Sequence, residues 1–401
     1  MSPERARTDV LVIGAGIVGA LIGRELAGRG HGVVLLDPEP GRGASIGNAG
    51  LLVPSFTRPM AAPSTWWEGV RGMTGENPLI SIGSMSPAVL TWLARFTVAA
   101  RPGRAGRIAA RLVAPARAAA DAYAGLAAET GIDLGLAREG WLQAARSPAV
   151  LRRKAVLART LAKEGVDYEV LARDDLRAQE PELDPGLAGA VFFPGDSSLD
   201  PAATTRAALA AAEERGAVVR RTRVNGLVRR HGEVAAVRTG LGEFSATTYV
   251  LATGAGRLGG RGVQPGWGWS VDLPAMRNPI STPMIGLDDH VVFNPLRGRI
   301  RITGGMRIGG TPSARDDHPA ATAIRQAAER LVPALRDLPA GSIVRAARPM
   351  TPDGLPRVAR TGRNLIVATG HGTLGMTLAP ATAVTVARLV GSEDRREEVL
   401  W

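Results

Sequence analysis

The stretch that most constrains this chain is Val10 to Asp37, VLVIGAGIVGALIGRELAGRGHGVVLLD. Val10 to Ile13 is a short apolar run, long enough for one buried parallel strand. Gly14, Gly16 and Gly19 then make G-x-G-x-x-G, and Val18, Ile22 and Leu26 follow on one helical face. Gly30 suits the helix C-terminus, and Val33 to Leu36 forms a second strand ending in Asp37. In such a unit the first glycine allows a tight turn and the second lets a pyrophosphate approach the backbone. The third brings helix against strand. The helix N-terminus offers unpaired N–H groups and a positive dipole end to that pyrophosphate. Asp37 stands where a carboxylate accepts hydrogen bonds from an adenosine ribose and disfavours a 2′-phosphate, so NADP is not expected. The glycines alone would mean no more than a turn. With strand, helix and acid around them they mean a dinucleotide site.

Composition bounds the rest. At 401 residues the chain exceeds one compact core, and two domains are expected. The absence of cysteine excludes disulfides, thiolate metal sites, cysteine nucleophiles and a cysteinyl-linked cofactor. MSPERARTD is polar and runs straight into the first strand, so no signal peptide is expected. No apolar run reaches the roughly 18 residues of a membrane span, and the cytoplasm is the expected compartment. The net charge of +12 raises the question of a polyanion partner. The basic residues are scattered arginines, with Lys154 and Lys163 the only lysines, and aromatic content is 4%. That leaves no interleaving of rings and cations for base stacking. Nucleic acid is not an expected partner.

Along the chain, Gly41 to Gly50 is a glycine-rich loop that either folds beneath a large cofactor or lies on the surface. Pro54 to Gly83 shows no period and reads as a loop. Residues 87–131 read as helix in two pieces separated by Pro102-Gly103. Trp92, Phe96 and flanking arginines in the first piece suit a core, or a peripheral contact with a membrane's inner face. Strands are expected at Gly140–Gln143 and Ala190–Phe193, and helices at Ser147–Glu164 and Pro201–Arg215. Val218–Val228, Val234–Thr239 and Phe244–Leu251 read as a three-stranded meander returning to the nucleotide-binding part at Gly254. Val271–Gly310 is strand-rich, and Ala320–Leu331 is a helix. Asn364–Ala368 is a strand, Gly370–Gly375 a loop and Met376–Val390 a helix.

Four stretches of this chain resemble the FAD-dependent D-amino-acid dehydrogenases, within the D-amino-acid oxidase and glycine oxidase superfamily. They are the opening glycine motif, Ser45–Gly50 (SIGNAG), Arg348–Pro356 (RPMTPDGLP) and Thr369–Gly375 (TGHGTLG). The resemblance runs from Val10 to about Val390. It implies an α/β fold: a Rossmann-like FAD-binding domain, with a parallel sheet and a three-stranded β-meander. This domain is interleaved with an α+β substrate domain built on a large mixed sheet. Residues 1–65, 199–257 and 346–401 would form the first, and 66–198 and 258–345 the second. FAD would be bound non-covalently. Gly14, Gly16 and Gly19 would hold its pyrophosphate, Asp37 its ribose and Val224 its adenine, with Gly254 at the chain's return. Ser45, Asn48 and Ala49 would lie beside the flavin. Gly372, Thr373, Leu374 and Gly375 would aim a helix N-terminus at the flavin's pyrimidine end, where reduction places negative charge.

The same resemblance makes Arg348 the carboxylate anchor, since a guanidinium fork holds an α-carboxylate bidentately. Met306 aligns with a position lining the pocket above the flavin, or else packs in the core. His371 is expected to be structural. Relatives often place a tyrosine beside the arginine, but Tyr123, Tyr168 and Tyr249 all lie elsewhere. His290 stands near that place and either donates to the carboxylate or is a plain loop histidine. This departure points towards a cyclic, N-substituted or unusual amino acid. The expected reaction is oxidation of a D-amino or secondary amino acid at Cα–N, by hydride transfer to flavin N5, giving an imino acid and then a 2-oxo acid. The first alternative is a glycine or sarcosine oxidase-like enzyme using O2. With neither lysine expected near the site, a quinone or other acceptor is favoured over oxygen. The second alternative is a flavoprotein acting on tRNA.

Overall fold

The structure is a computed structural model describing residues 8–57, 80–101, 103–256, 258 and 262–392. Most of the expected Pro54–Gly83 loop lies outside the described residues, as does Pro102, the expected break between helices.

Val10 to Ile13 form the centre of a sheet ordered β19-β20-β13-β1-β2-β9. Its strands are β1 (Thr8–Ile13), β2 (Val33–Asp37), β9 (Val218–Arg221), β13 (Ala246–Leu251), β19 (Arg357–Gly362) and β20 (Leu365–Thr369). All pair in parallel except β19. The unbroken apolar run of β1 is explained by burial on both faces. Val10 and Val12 pack against the helices Ile17–Gly28, Pro201–Glu214 and Gly375–Gly391, while Leu11 and Ile13 face Val234 and Val237 of a second sheet.

That second sheet is the meander, but not with the strands expected. It comprises β10 (Val224–Arg230), β11 (Glu233–Thr239) and β12 (Gly242–Phe244). The expected strand Val218–Val228 is two strands, of which β9 belongs to the parallel sheet beside β2. The Thr222 N–H donates to Asp37 O at 3.1 Å at the break between them. Phe244–Leu251 divides in the same way, its second half being β13.

The large mixed sheet runs β18-β14-β17-β16-β15-β5-β7-β6, with β4 (Ile80–Ile82) pairing β17. Its strands are β5 (Trp141–Ala145), β6 (Glu169–Ala172), β7 (Gly189–Phe193), β14 (Gln264–Pro274), β15 (Met284–Gly286), β16 (Val291–Leu296), β17 (Arg299–Ile308) and β18 (Ser342–Met350). A short pair, β3 (Leu51–Leu52) with β8 (Ser197–Ser198), completes the sheets. Strand β6 and the helix Arg173–Gln179 were not foreseen in the sequence. Alternation along β14 and β17 sorts the two faces. Val271, Leu273, Ile300 and Ile302 pack under the helix Asp317–Leu331 through Ile324 and Ala328. Ser270, Arg301 and Thr303, equally buried, point the other way. A buried sheet face carrying polar residues needs partners, and they come from the site. Residues 87–131 form three helices, Pro87–Ala99, Arg104–Arg117 and Ala119–Thr130. Among the described residues no helix is long and apolar enough to cross a membrane.

Candidate active site

The glycine turn is built as its spacing requires. Gly14 takes φ 104°, and a Cβ there would fall 2.4 Å from Ala252 O. A Cβ on Gly19 would lie 1.8 Å from Gly14 O, so the helix Ile17–Gly28 can approach β1 only without a side chain there. The Asp37 carboxylate accepts from Ala15 N–H at 2.8 Å and from Glu39 N–H at 2.8 Å, tying the turn to β2. Each oxygen keeps a lone pair for a further donor such as a ribose hydroxyl. The Ser45 hydroxyl accepts from Ile17 N–H at 3.0 Å at the helix N-terminus. A cavity of about 160 Å³ opens between Gly14, Gly16, Asp37, Ser45, Asn48 and Gly254.

This cavity meets a larger one, of about 720 Å³, at Arg348, His371 and Gly372, which line both. Thr373 and Leu374 line the larger cavity and Gly375 the smaller. Three expected residues line neither. Gly19 acts through packing, and Ala49 offers its carbonyl to Asn294. Val224 opens β10 and packs against the apolar cluster that holds Leu11, Ile13 and Leu36.

Arg348, Met306 and His290 come together in the larger cavity from three places in the sheet. Arg348 sits on β18 and donates from Nη1 to Gly305 O at 2.9 Å. Among the described residues no acidic side chain pairs with it. Burial without a counter-charge pushes its guanidinium down to about 10, still protonated at neutral pH. The guanidinium packs against Gly268 of β14, where a Cβ would come within 2.0 Å of Nη1. Gly268→Ala is therefore expected to displace the fork and lower kcat/KM roughly tenfold or more, at about 1.4 kcal/mol or more of lost binding, with FAD content unchanged. A variant with parent kinetics would show that the fork has room to move. Met306 packs with Trp92 and Met350. His290 occupies the turn between β15 and β16 with φ 53°.

His371 is buried, its Nε2 2.9 Å from Thr382 Oγ1. That hydroxyl donates to Leu378 O at 2.8 Å, so it accepts from Nε2–H. Burial pushes His371 down to about 4, which leaves a neutral ring pinned to the last helix.

The chain is matched from residue 9 to 389 by the family model described as DAO, FAD dependent oxidoreductase. It belongs to that family. A protein named D-amino acid dehydrogenase from Rhizorhabdus wittichii is 32% identical over 96% of this chain and 96% of its own. Another of that name, from a Methylobacterium species, is 34% identical over 95% and 94%. Among solved structures, glycine oxidase from Geobacillus kaustophilus is 27% identical with a TM-score of 0.75, covering 98% of this chain and 96% of the other. FAD is thus the cofactor, and the residues fit it. The glycine turn leaves no room for side chains, the joined cavities run from Asp37 past Arg348, and the buried Thr253 Oγ1 beside them has no hydrogen-bond partner among the described residues.

One expectation changes here. Lys154, placed away from the site by sequence, lines the larger cavity, its Nζ 5.6 Å from the centroid of the Phe56 ring. A missing lysine therefore no longer speaks against oxygen. Behind it stands a buried carboxyl that the sequence did not signal. Asp196 is 1% exposed and accepts from Ser55 N–H at 3.3 Å and from the Ser55 hydroxyl. Burial pushes it from 3.8 up to about 7, against the opposing pull of Ser55 and Lys154. Its proton is held more tightly in the folded chain, so this stability is complete below about pH 4 and is lost progressively between pH 4 and 7. At roughly 1.4 kcal/mol per pH unit the effect is about 4 kcal/mol. Asp196→Asn should melt close to the parent at pH 4, increasingly above it as pH rises, and well above it at pH 8. Parallel pH profiles would place the ionisation elsewhere.

Proposed function

We propose that the protein oxidises the Cα–N bond of a D-amino acid, or of a secondary or cyclic amino acid, to an imino acid that water converts to a 2-oxo acid. The observation carrying this reading is the Arg348 guanidinium, without an acidic partner among the described residues, in an otherwise largely apolar cavity. A cation desolvated without a counter-charge is costly, and an α-carboxylate supplies one in the geometry the fork favours. Arg348 would fix the carboxylate, and Gly268 would leave the room its fork occupies. Met306, Trp92 and Met350 would exclude water, and His290 would donate to the carboxylate or to the amine's surroundings. An amine entering unprotonated needs no base. FAD held along the joined cavities would supply the two-electron acceptor.

The name of the curated relatives supports the D configuration and a dehydrogenase. Incubation with a dye acceptor and a panel of D-, L- and N-alkyl amino acids, with the 2-oxo acid trapped as its hydrazone, tests this. Trapped product from no member of the panel would end the reading. Reoxidation of the reduced protein is expected to be slower with air than with a quinone or dye. Equal rates in stopped flow would make it an oxidase, and Lys154→Met would then be the variant to make. A peripheral membrane contact is supported by the helix Pro87–Ala99, whose outer face exposes Leu90 and Val98 while Trp92 is buried. Failure to co-sediment with anionic vesicles at low salt would remove it.

A further inference from the structure

Four consecutive carbonyls, Ile46 to Ala49, are held by side chains of the large sheet. Arg301 Nη1 donates to Ile46 O at 2.9 Å and to Asn48 O at 2.8 Å. The Ser270 hydroxyl donates to Gly47 O at 2.8 Å, and Asn294 Nδ2 donates to Ala49 O at 2.7 Å. The other edge of the Arg301 guanidinium forks onto Asp272, Nε to Oδ1 at 2.6 Å and Nη2 to Oδ2 at 2.8 Å. Arg301 is only 3% exposed. It is therefore committed to protein partners and is not available as a substrate carboxylate anchor in place of Arg348.

The register explains the grouping. Asp272 on β14 and Asn294 on β16 are the direct cross-strand partners of Arg301 on β17, so the three form one row on one face. Ser270 lies two residues along β14 on that face. With its carbonyls drawn to the sheet, the loop gives Ser45, Gly47 and Asn48 to the wall of the cofactor cavity. On the same strand β17, Thr303 lines the substrate cavity and Gly305 O accepts from Arg348. One strand thus grips the cofactor loop at one end and the carboxylate anchor at the other.

We propose that Arg301, braced by Asp272 and assisted by Ser270 and Asn294, is a positioning latch that fixes the cofactor loop relative to Arg348. A buried ion pair adds little net stability over well-packed apolar residues, so stability alone does not account for this one. What the pair supplies is geometry: a planar fork can serve two carbonyls two residues apart while a carboxylate holds its other edge. A lysine cannot do both.

The latch rests on FAD binding, which the family establishes, and not on which amino acid is oxidised. Its failure and that of the substrate reading are therefore read separately. The test uses two variants of the full chain: Arg301→Met combined with Asp272→Leu, which removes both charges together, and Ser270→Ala, which removes one donor. FAD affinity is read by flavin fluorescence, folding by melting of the FAD-free protein, and turnover at saturating FAD. The double variant is expected to bind FAD at least tenfold more weakly and Ser270→Ala severalfold more weakly. In both, kcat should fall while the substrate KM stays within about twofold, because Arg348 is untouched, and FAD-free melting should match the parent. Arg301→Lys should not restore the parent values. FAD affinity and kcat equal to the parent's in both variants would overturn the latch. If the double variant does not fold, Ser270→Ala decides by the same two readouts, and parent values there overturn it.

Discussion

Arg348→Ala is expected to lower kcat/KM roughly 30- to 3,000-fold. Truncating one partner of a buried charge pair costs about 2–5 kcal/mol, because the other charge is left desolvated and unpaired. In the proposed reading that charge is the substrate carboxylate, and the guanidinium that would meet it has no acidic partner among the described residues. Arg348→Lys should recover some of the loss, since an ammonium keeps the charge but loses the planar fork. FAD content should hold, because the protein hydrogen bond lost is to Gly305 O. A variant that sheds flavin or unfolds would make Arg348 structural. One with full kcat/KM would move the carboxylate site elsewhere, and Arg301 is not a candidate because Asp272 already occupies it.

Gly19→Ala is the second large expectation. Its Cβ, placed by the backbone, would meet the Gly14 backbone carbonyl oxygen at 1.8 Å, so no rotamer change can relieve the clash. The helix Ile17–Gly28 must back away from β1, carrying its N-terminal amides from the position a pyrophosphate would take. Overpacking of this kind costs roughly 1–3 kcal/mol. If all of it falls on FAD binding, affinity drops about 5- to 150-fold. Titration of FAD-free protein with FAD measures it. An unchanged affinity with a lower melting temperature would mean that the strain is absorbed in the fold and not at the phosphate site.

Much of this was legible in the chain because it is local. The run Val10 to Ile13, the three glycines and Asp37 specify strand, turn and helix within one short segment, and the structure places them accordingly. The meander was less legible. Nothing in the run from Val218 to Val228 announces that its first half pairs with β2 and its second with β11; that choice is made by the tertiary neighbours. The site's supporting residues were not legible at all. Gly268 matters only because β14 passes beneath Arg348 of β18, and Lys154 reaches the cavity from the helix Pro148–Ala162. Asp196 reads as one more turn aspartate until its burial against Ser55 is seen.

Anaerobic mixing of the FAD-loaded protein with matched pairs of compounds tests the central claim most directly. Each pair is a D- or N-alkyl amino acid and the same amine without its α-carboxylate. Flavin absorbance should bleach with at least one amino acid and at least 30-fold more slowly with its partner, the lower bound expected from losing the Arg348 contact. Equal bleaching by both members of every pair would contradict the account, for it would show that no cation in the cavity is reading a carboxylate.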